Sequence, residues 1–229
     1  MKYFITLLFV FNTLILIAQP IKFNIQGEIK NTAHAKFAYL TTLSQQTTIS
    51  SPKIFIVSPI INGEFSFKGT FNLEQNDYQQ ACVFVDERSN ISKEEIASKF
   101  KELIWVTGRE GNLRMIVLED LTLKIEGQDQ MKVSEITAGG KLTKQLDELH
   151  LAFVKGDKEF LVFIKKYPDS PISFDGVKSL TNMAQASNKD KIESRWGSPV
   201  EQYELLSNRL KKSGKGIILK KQIDEKYKN

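Results

Sequence analysis

Ile60-Ile61-Asn62-Gly63-Glu64-Phe65-Ser66-Phe67-Lys68-Gly69-Thr70-Phe71 is the stretch whose reading decides the fold. Phe65, Phe67 and Phe71 alternate with Glu64, Ser66, Lys68 and Thr70. Successive side chains of a strand point to opposite faces, so this alternation describes a strand with one face in a core and one in water. Asn62-Gly63 just before it is the dipeptide that best tolerates the positive φ angles of a tight hairpin turn.

The same period recurs on both sides. Phe23, Ile25 and Ile29 alternate with Lys22, Asn24, Gln26 and Glu28, and Leu121, Leu123 and Ile125 alternate with Thr122, Lys124 and Glu126. Phe37/Tyr39, Ile54–Val57, Val83/Val85 and Leu113–Leu118 read as further strands. Many short strands with hairpin turns predict an antiparallel β-sandwich or open barrel over residues 19–138. One helical insertion is expected near residues 92–104, where Ser92 and Glu95 form a capping box ahead of Ile96, Phe100 and Leu103.

From Gly139 the period becomes helical. Leu142, Leu146, Leu149 and Phe153 form one stripe, and Phe160, Phe163, Ile164 and Tyr167 a second, ended by Pro168. Ser170-Pro171 opens a third helix carrying Val177 and Leu180. Ser198-Pro199 with Glu201 opens a fourth, carrying Tyr203, Leu206 and Leu210, with Gly214 as its natural stop. The predicted class is therefore α+β, a β module followed by a small helical module over residues 139–214. Residues 215–229 read as a basic tail or linker remnant.

Residues 1–18 read as a signal peptide. Lys2 supplies a positive start, Tyr3 to Ala18 an apolar run, and Ala18-Gln19-Pro20 a cleavage site. The run is short for a helix crossing about 30 Å of hydrocarbon. A periplasmic or secreted protein of a bacterial envelope is expected, with no stable membrane insertion once the signal is cut.

The chain has 229 residues and a net charge of +5. Seven lysines against two acids between Lys211 and Asn229 carry +5, so with Lys2 removed the rest of the mature chain sits at −1. A basic tail is not a basic groove, and nucleic-acid binding is not expected. One Cys and two His leave no material for a disulfide framework, a zinc–thiolate site or a histidine cage. No metal and no cofactor is implied by any motif.

The search for chemistry yields few candidates. Cys82 sits in the strand pattern Gln80-Ala81-Cys82-Val83-Phe84-Val85, with no CxxC and no local feature that would lower a thiol pKa. Asp147 and His150 lie three apart on one helix, the spacing of a carboxylate–imidazole pair and also of ordinary surface electrostatics. His34 lies in a turn-like, solvated stretch. Gly139-Gly140-Lys141 fails the phosphate-loop pattern, because Glu135 stands where its first Gly belongs and Leu142 where Ser or Thr belongs. It reads as a flexible joint. The adjacent acids Glu94-Glu95 and Glu119-Asp120 have no assignable partner carboxylate, and Trp105 and Trp196 read as packing residues.

Several segments taken in order resemble a known family. They are Phe23-Asn24-Ile25-Gln26-Gly27-Glu28-Ile29, Ala38-Tyr39-Leu40, Ile61 to Gly69, and Leu118-Glu119-Asp120-Leu121-Thr122-Leu123-Lys124-Ile125-Glu126-Gly127. Tyr167-Pro168-Asp169-Ser170 and Leu210 to Lys215 complete the set. Together they resemble the domain-of-unknown-function family DUF4369. That domain typically stands at the N-terminus of envelope thiol–disulfide oxidoreductases, ahead of an AhpC/TSA-type thioredoxin-like domain. Asp86 to Gly108 departs from the family pattern as a longer, helix-bearing insertion, and the chain ends about where the thioredoxin-like domain would begin. The resemblance implies a non-catalytic module that binds a partner or ligand, a thioredoxin-like envelope protein being the implied partner, and it transfers no catalytic, cofactor or metal residue. Two alternatives stay open: an envelope enzyme using Asp147/His150 or Cys82, and a remnant or half of a split oxidoreductase.

Overall fold

The computed structural model describes residues 20–42, 54–101, 111, 113–185 and 187–227, with the backbone alone at 100 and 101. The expected signal segment, Leu103 and Trp105 lie outside the described residues, as does the side chain of Phe100.

Eight strands appear among these residues: β1 (Ile21–Asn31), β2 (Phe37–Thr41), β3 (Phe55–Pro59), β4 (Glu64–Phe71), β5 (Gln80–Asp86), β6 (Leu113–Val117), β7 (Leu121–Gly127) and β8 (Glu135–Gly139). They form two four-stranded sheets, ordered β4-β1-β7-β8 and β3-β2-β5-β6. The sheets stack as a sandwich and do not close into a barrel. All pairings are antiparallel except β1 with β7, which run parallel. The inward residues of both sheets share one core. Ile25, Phe67, Leu123 and Ile125 meet Leu40, Val83 and Ile116 there. Sequence alternation becomes burial alternation directly: Glu64 to Phe71 run exposed, buried, exposed, buried.

The Asn62-Gly63 turn forms, with φ of 51° and 84° and a bridge between Ile61 and Glu64. A side chain at Gly63 would also meet the Ile29 carbonyl oxygen at 2.5 Å. The turn does not join neighbours in one sheet, however. β3 belongs to one sheet and β4 to the other, so the expected hairpin is a corner between layers. The turn dictates only its own four residues; burial of the three phenylalanines sends β4 to pair with β1.

Helix α1 (Lys93–Lys101) covers the outer face of the second sheet. Its Ile96, with Ile91, packs on Tyr39, Cys82, Phe84 and Leu113. Half of the expected capping box is present: the Glu95 amide donates to Ser92 Oγ at 3.1 Å, while the Glu95 carboxylate binds Arg88.

The helical module contains α2 (Lys141–Lys155), α3 (Glu159–Lys166), α4 (Pro171–Met183), α5 (Lys189–Trp196), α6 (Pro199–Leu205), α7 (Asn208–Lys212) and α8 (Gly214–Tyr227). Phe160, Ile164, Val177 and Leu180 form its centre. Ser170 and Ser198 cap α4 and α6 as the Ser-Pro spacing predicts, accepting from Ile172 and Glu201 amides. The expected fourth helix breaks after Leu205. Ser207 takes extended backbone and starts α7 by accepting from the Leu210 amide.

The stretch expected as a basic tail is mostly helix α8, and Gly214 starts it rather than stopping its predecessor. Leu219 and Ile223, four apart, bury into the helical core. Its lysines are employed as well. Lys226 Nζ donates to the carbonyls of Thr181 and Ala184 at 2.8 and 3.1 Å, placing a cation on the negative C-terminal end of α4.

Candidate functional site

Cys82 is 1% exposed under α1. Burial pushes its thiol up to about 12, so the thiolate that redox or nucleophilic chemistry needs is disfavoured. Cys82 lies in strand β5, where its sequence pattern put it.

Asp147 and His150 do not form a pair. Both Asp147 oxygens are taken by Arg114: Nη1 donates to Oδ1 at 2.8 Å and Nη2 to Oδ2 at 2.5 Å. His150 is exposed on the outer side of α2. The geometry of an orienting carboxylate and a general-base imidazole is therefore not assembled. Arg114 comes from β6, in register with the inward Ile116, and its side chain is only 9% exposed. A charged residue at an inward strand position is costly without a partner. The motif search missed Arg114, and its charge at an inward position of the Leu113–Leu118 strand pattern is the signal that could have found it.

Gly139-Gly140-Lys141 is a fixed joint, not a flexible one. Gly139 and Gly140 both hold positive φ, and the Gly140 amide donates to the Asp120 carbonyl at 3.0 Å. A Cβ at Gly139 would stand 2.1 Å from that same oxygen. The N-terminus of α2 that follows has no side-chain cap of its own. Glu119 supplies one from the β6–β7 turn. Its carboxylate accepts from the amides of Leu142 and Thr143 at 3.1 and 2.7 Å and from Thr143 Oγ1 at 2.8 Å. The position where a phosphate would sit at a helix start is filled by the protein's own carboxylate. Thr143 Oγ1 accepts in turn from the Val117 amide at 3.0 Å.

The remaining candidates are scattered. Glu95 pairs with Arg88 at 2.6 Å, which also holds Asp86. Burial works to raise the Asp86 pKa, but the hydrogen bonds and charge of Arg88 prevail and lower it. Glu94 is exposed. Trp196 Nε1 donates to the Phe153 carbonyl at 3.0 Å and its ring meets Phe153 edge-on, a packing role. His34 is exposed on the rim of a depression that also holds Asp86, Glu87 and Asp129. Among the described residues no group of three His, Cys, Asp or Glu is placed to hold a metal ion.

One feature escaped the residue pattern. Tyr78, in the β4–β5 loop, stands where the sandwich meets the helices and lines three clefts, of about 430, 340 and 300 Å³. Its hydroxyl pKa is raised, first by burial and then by the Asp175 carboxylate that it meets. The loop carrying it is tied to α8: Lys215 Nζ donates to the Gln75 carbonyl at 2.6 Å and to Asp77 Oδ2 at 2.9 Å. Tyr78, Asp175 and Lys178 are remote from one another or unremarkable in sequence, so no motif announces them.

No family model, curated protein or solved structure matches the chain. Among the described residues, no helix is long and apolar enough to cross a membrane.

Proposed function

We propose that the chain is a non-catalytic, partner-binding accessory module of the bacterial envelope, exported by its first 18 residues. On this reading it is a DUF4369-type domain whose partner is a thioredoxin-like envelope protein. What supports the reading is how the reactive side chains are used. Cys82 is sealed under α1, the Asp147 carboxylate is spent on Arg114, and that of Glu119 is spent on the start of α2. Meanwhile the junction of the two modules keeps unfilled clefts around Tyr78. Clefts of a few hundred Å³ at domain junctions are common binding sites.

The test is calorimetric titration of the purified chain, from Gln19 onward, with the purified thioredoxin-like domain of an envelope thiol–disulfide oxidoreductase. Saturable binding near equal stoichiometry is expected. Absence of binding, or turnover of an ester, peptide or disulfide substrate by the chain alone, would overturn the reading.

A further inference from the structure

Asn62-Gly63 is the chain's one Asn-Gly pair, and it forms the corner that carries the chain from β3 in one sheet to β4 at the edge of the other. Ile61 and Glu64 close the corner, each donating its amide to the other's carbonyl at 2.9 Å. Gly63 uses its carbonyl, which accepts from the Ile29 amide at 2.8 Å. Its own N–H has no acceptor among the described residues. Asn62 is exposed, and its carboxamide has no hydrogen-bond partner among them either. Two groups that react with each other are thus adjacent in the chain, and neither is held back by a hydrogen bond. A side chain on the second residue would crowd their approach. The fold forbids one there, because Gly63 has φ of 84° and a Cβ would stand 2.5 Å from the Ile29 carbonyl oxygen. The turn therefore demands the residue that leaves the reaction open.

We propose that Asn62-Gly63 is a self-modification site, at which Asn62 converts with time to aspartate and isoaspartate and so loosens the corner between the sheets. The Gly63 amide nitrogen loses its proton to base and attacks the Asn62 carboxamide carbon. A bond forms between that nitrogen and Cγ, closing a cyclic imide, and the side-chain nitrogen leaves as ammonia. Water then opens the ring. Opening at Cγ gives aspartate. Opening at the main-chain carbonyl gives isoaspartate, whose main chain runs through Cβ and is one methylene longer. One water is consumed, one ammonia is released, and nothing is oxidised or reduced. Either product adds a negative charge beside Glu64. Isoaspartate also breaks the fit of the corner: the paired bonds of Ile61 and Glu64 span two residues of normal length, and Gly63 has to reach Ile29 from between them. The chain's one Asp-Gly pair, Asp175-Gly176, has the same ring within reach by loss of water. It lies inside α4 with Gly176 buried, and so provides an internal control.

The experiment ages the folded chain, from Gln19 onward, in mildly alkaline buffer. Peptide mapping by mass spectrometry reads amide-to-acid conversion at every asparagine, and electron-transfer fragmentation tells isoaspartate from aspartate. Conversion at Asn62 is expected to outpace that at any other asparagine by about tenfold or more, to rise with pH, and to include isoaspartate. Asp175 should stay unchanged. Hydroxylamine added to the folded chain should intercept the imide and cut between Asn62 and Gly63. Asn62→Gly leaves a Gly-Gly turn that accepts both positive φ angles and removes the carboxamide, so it should resist both treatments. In the isoaspartate fraction, the Ile29 and Glu64 amides should exchange with deuterium faster than in fresh protein. Conversion no faster at Asn62 than at other asparagines, isoaspartate at Asp175 as abundant as at Asn62, hydroxylamine cleavage of Asn62→Gly equal to the parent's, or unchanged exchange at Ile29 and Glu64 in the isoaspartate fraction would each overturn the proposal.

Discussion

The seam between sandwich and helices has two ends that treat charge in opposite ways. Toward the Gly139-Gly140 end, Arg114 is engaged by Asp147 and Glu119 by the amides that open α2, although a cleft of about 430 Å³ bordered by Gly139, Gly140 and Lys141 runs from there to Tyr78. At the Tyr78 end, recesses stay unfilled and the Lys178 ammonium faces solvent beside Asp175. The first arrangement joins two modules into one body. The second leaves surface for something else to complete. The same residue types thus serve stability or recognition according to whether the chain itself supplies the partner.

The sharpest way to break this contrast is Asp147→Ala. It strands a nearly buried guanidinium, and loss of one partner from such a pair costs about 3 kcal/mol. Urea unfolding should show that loss, and Arg114→Met combined with Asp147→Leu should recover most of it. A neutral Asp147→Ala would mean the pair is ornamental and the modules are joined by apolar contact alone. Glu119→Ala comes next. It removes the cap from a helix start where Gly140 offers none, at about 1–2 kcal/mol by the same measurement.

These effects were only partly legible in the sequence. The period-two pattern of Phe65 to Phe71 placed β4, and Asn62-Gly63 placed its turn, but nothing local could tell a hairpin from a corner between sheets. The choice is made by pairing with β1. Lysine content masks α8, whose buried side is marked in sequence by little more than Leu219 and Ile223, four apart. Glu119 was visible as an acid but not as a cap, since the helix it serves begins across an intervening strand pair. Asp175 and Lys178 are neighbours on α4, but Tyr78 joins them only when the two modules pack, so no reading along the chain could collect all three.

Cys82 provides a gauge on the same contrast, because it is buried in the separate apolar cluster under α1. Its thiol pKa is raised from 9.0 to about 12 in the folded chain. A raised value means the thiol's contribution to stability is complete below pH 9 and is lost as pH climbs toward 12. Urea midpoints should therefore decline across that interval by less in Cys82→Ala than in the parent. At neutral pH, disulfide-exchange reagents should label the folded thiol slowly. Asp147→Ala should speed labelling by raising the unfolded population, and Lys178→Glu should not. The smallest effect belongs to the open end. Lys178→Glu alters an exposed residue and should move stability by no more than about 0.5 kcal/mol. A larger loss there would erase the distinction between the two ends.

The most direct test sets one variant from each end side by side in calorimetric titration with the thioredoxin-like domain, at a temperature where both are folded. Glu119→Ala is predicted to bind the domain as the parent does, despite its lower stability. Lys178→Glu is predicted to lose that binding with its stability intact. The contrary result, in which Lys178→Glu binds normally and Glu119→Ala does not, would place recognition at the closed end and contradict the account.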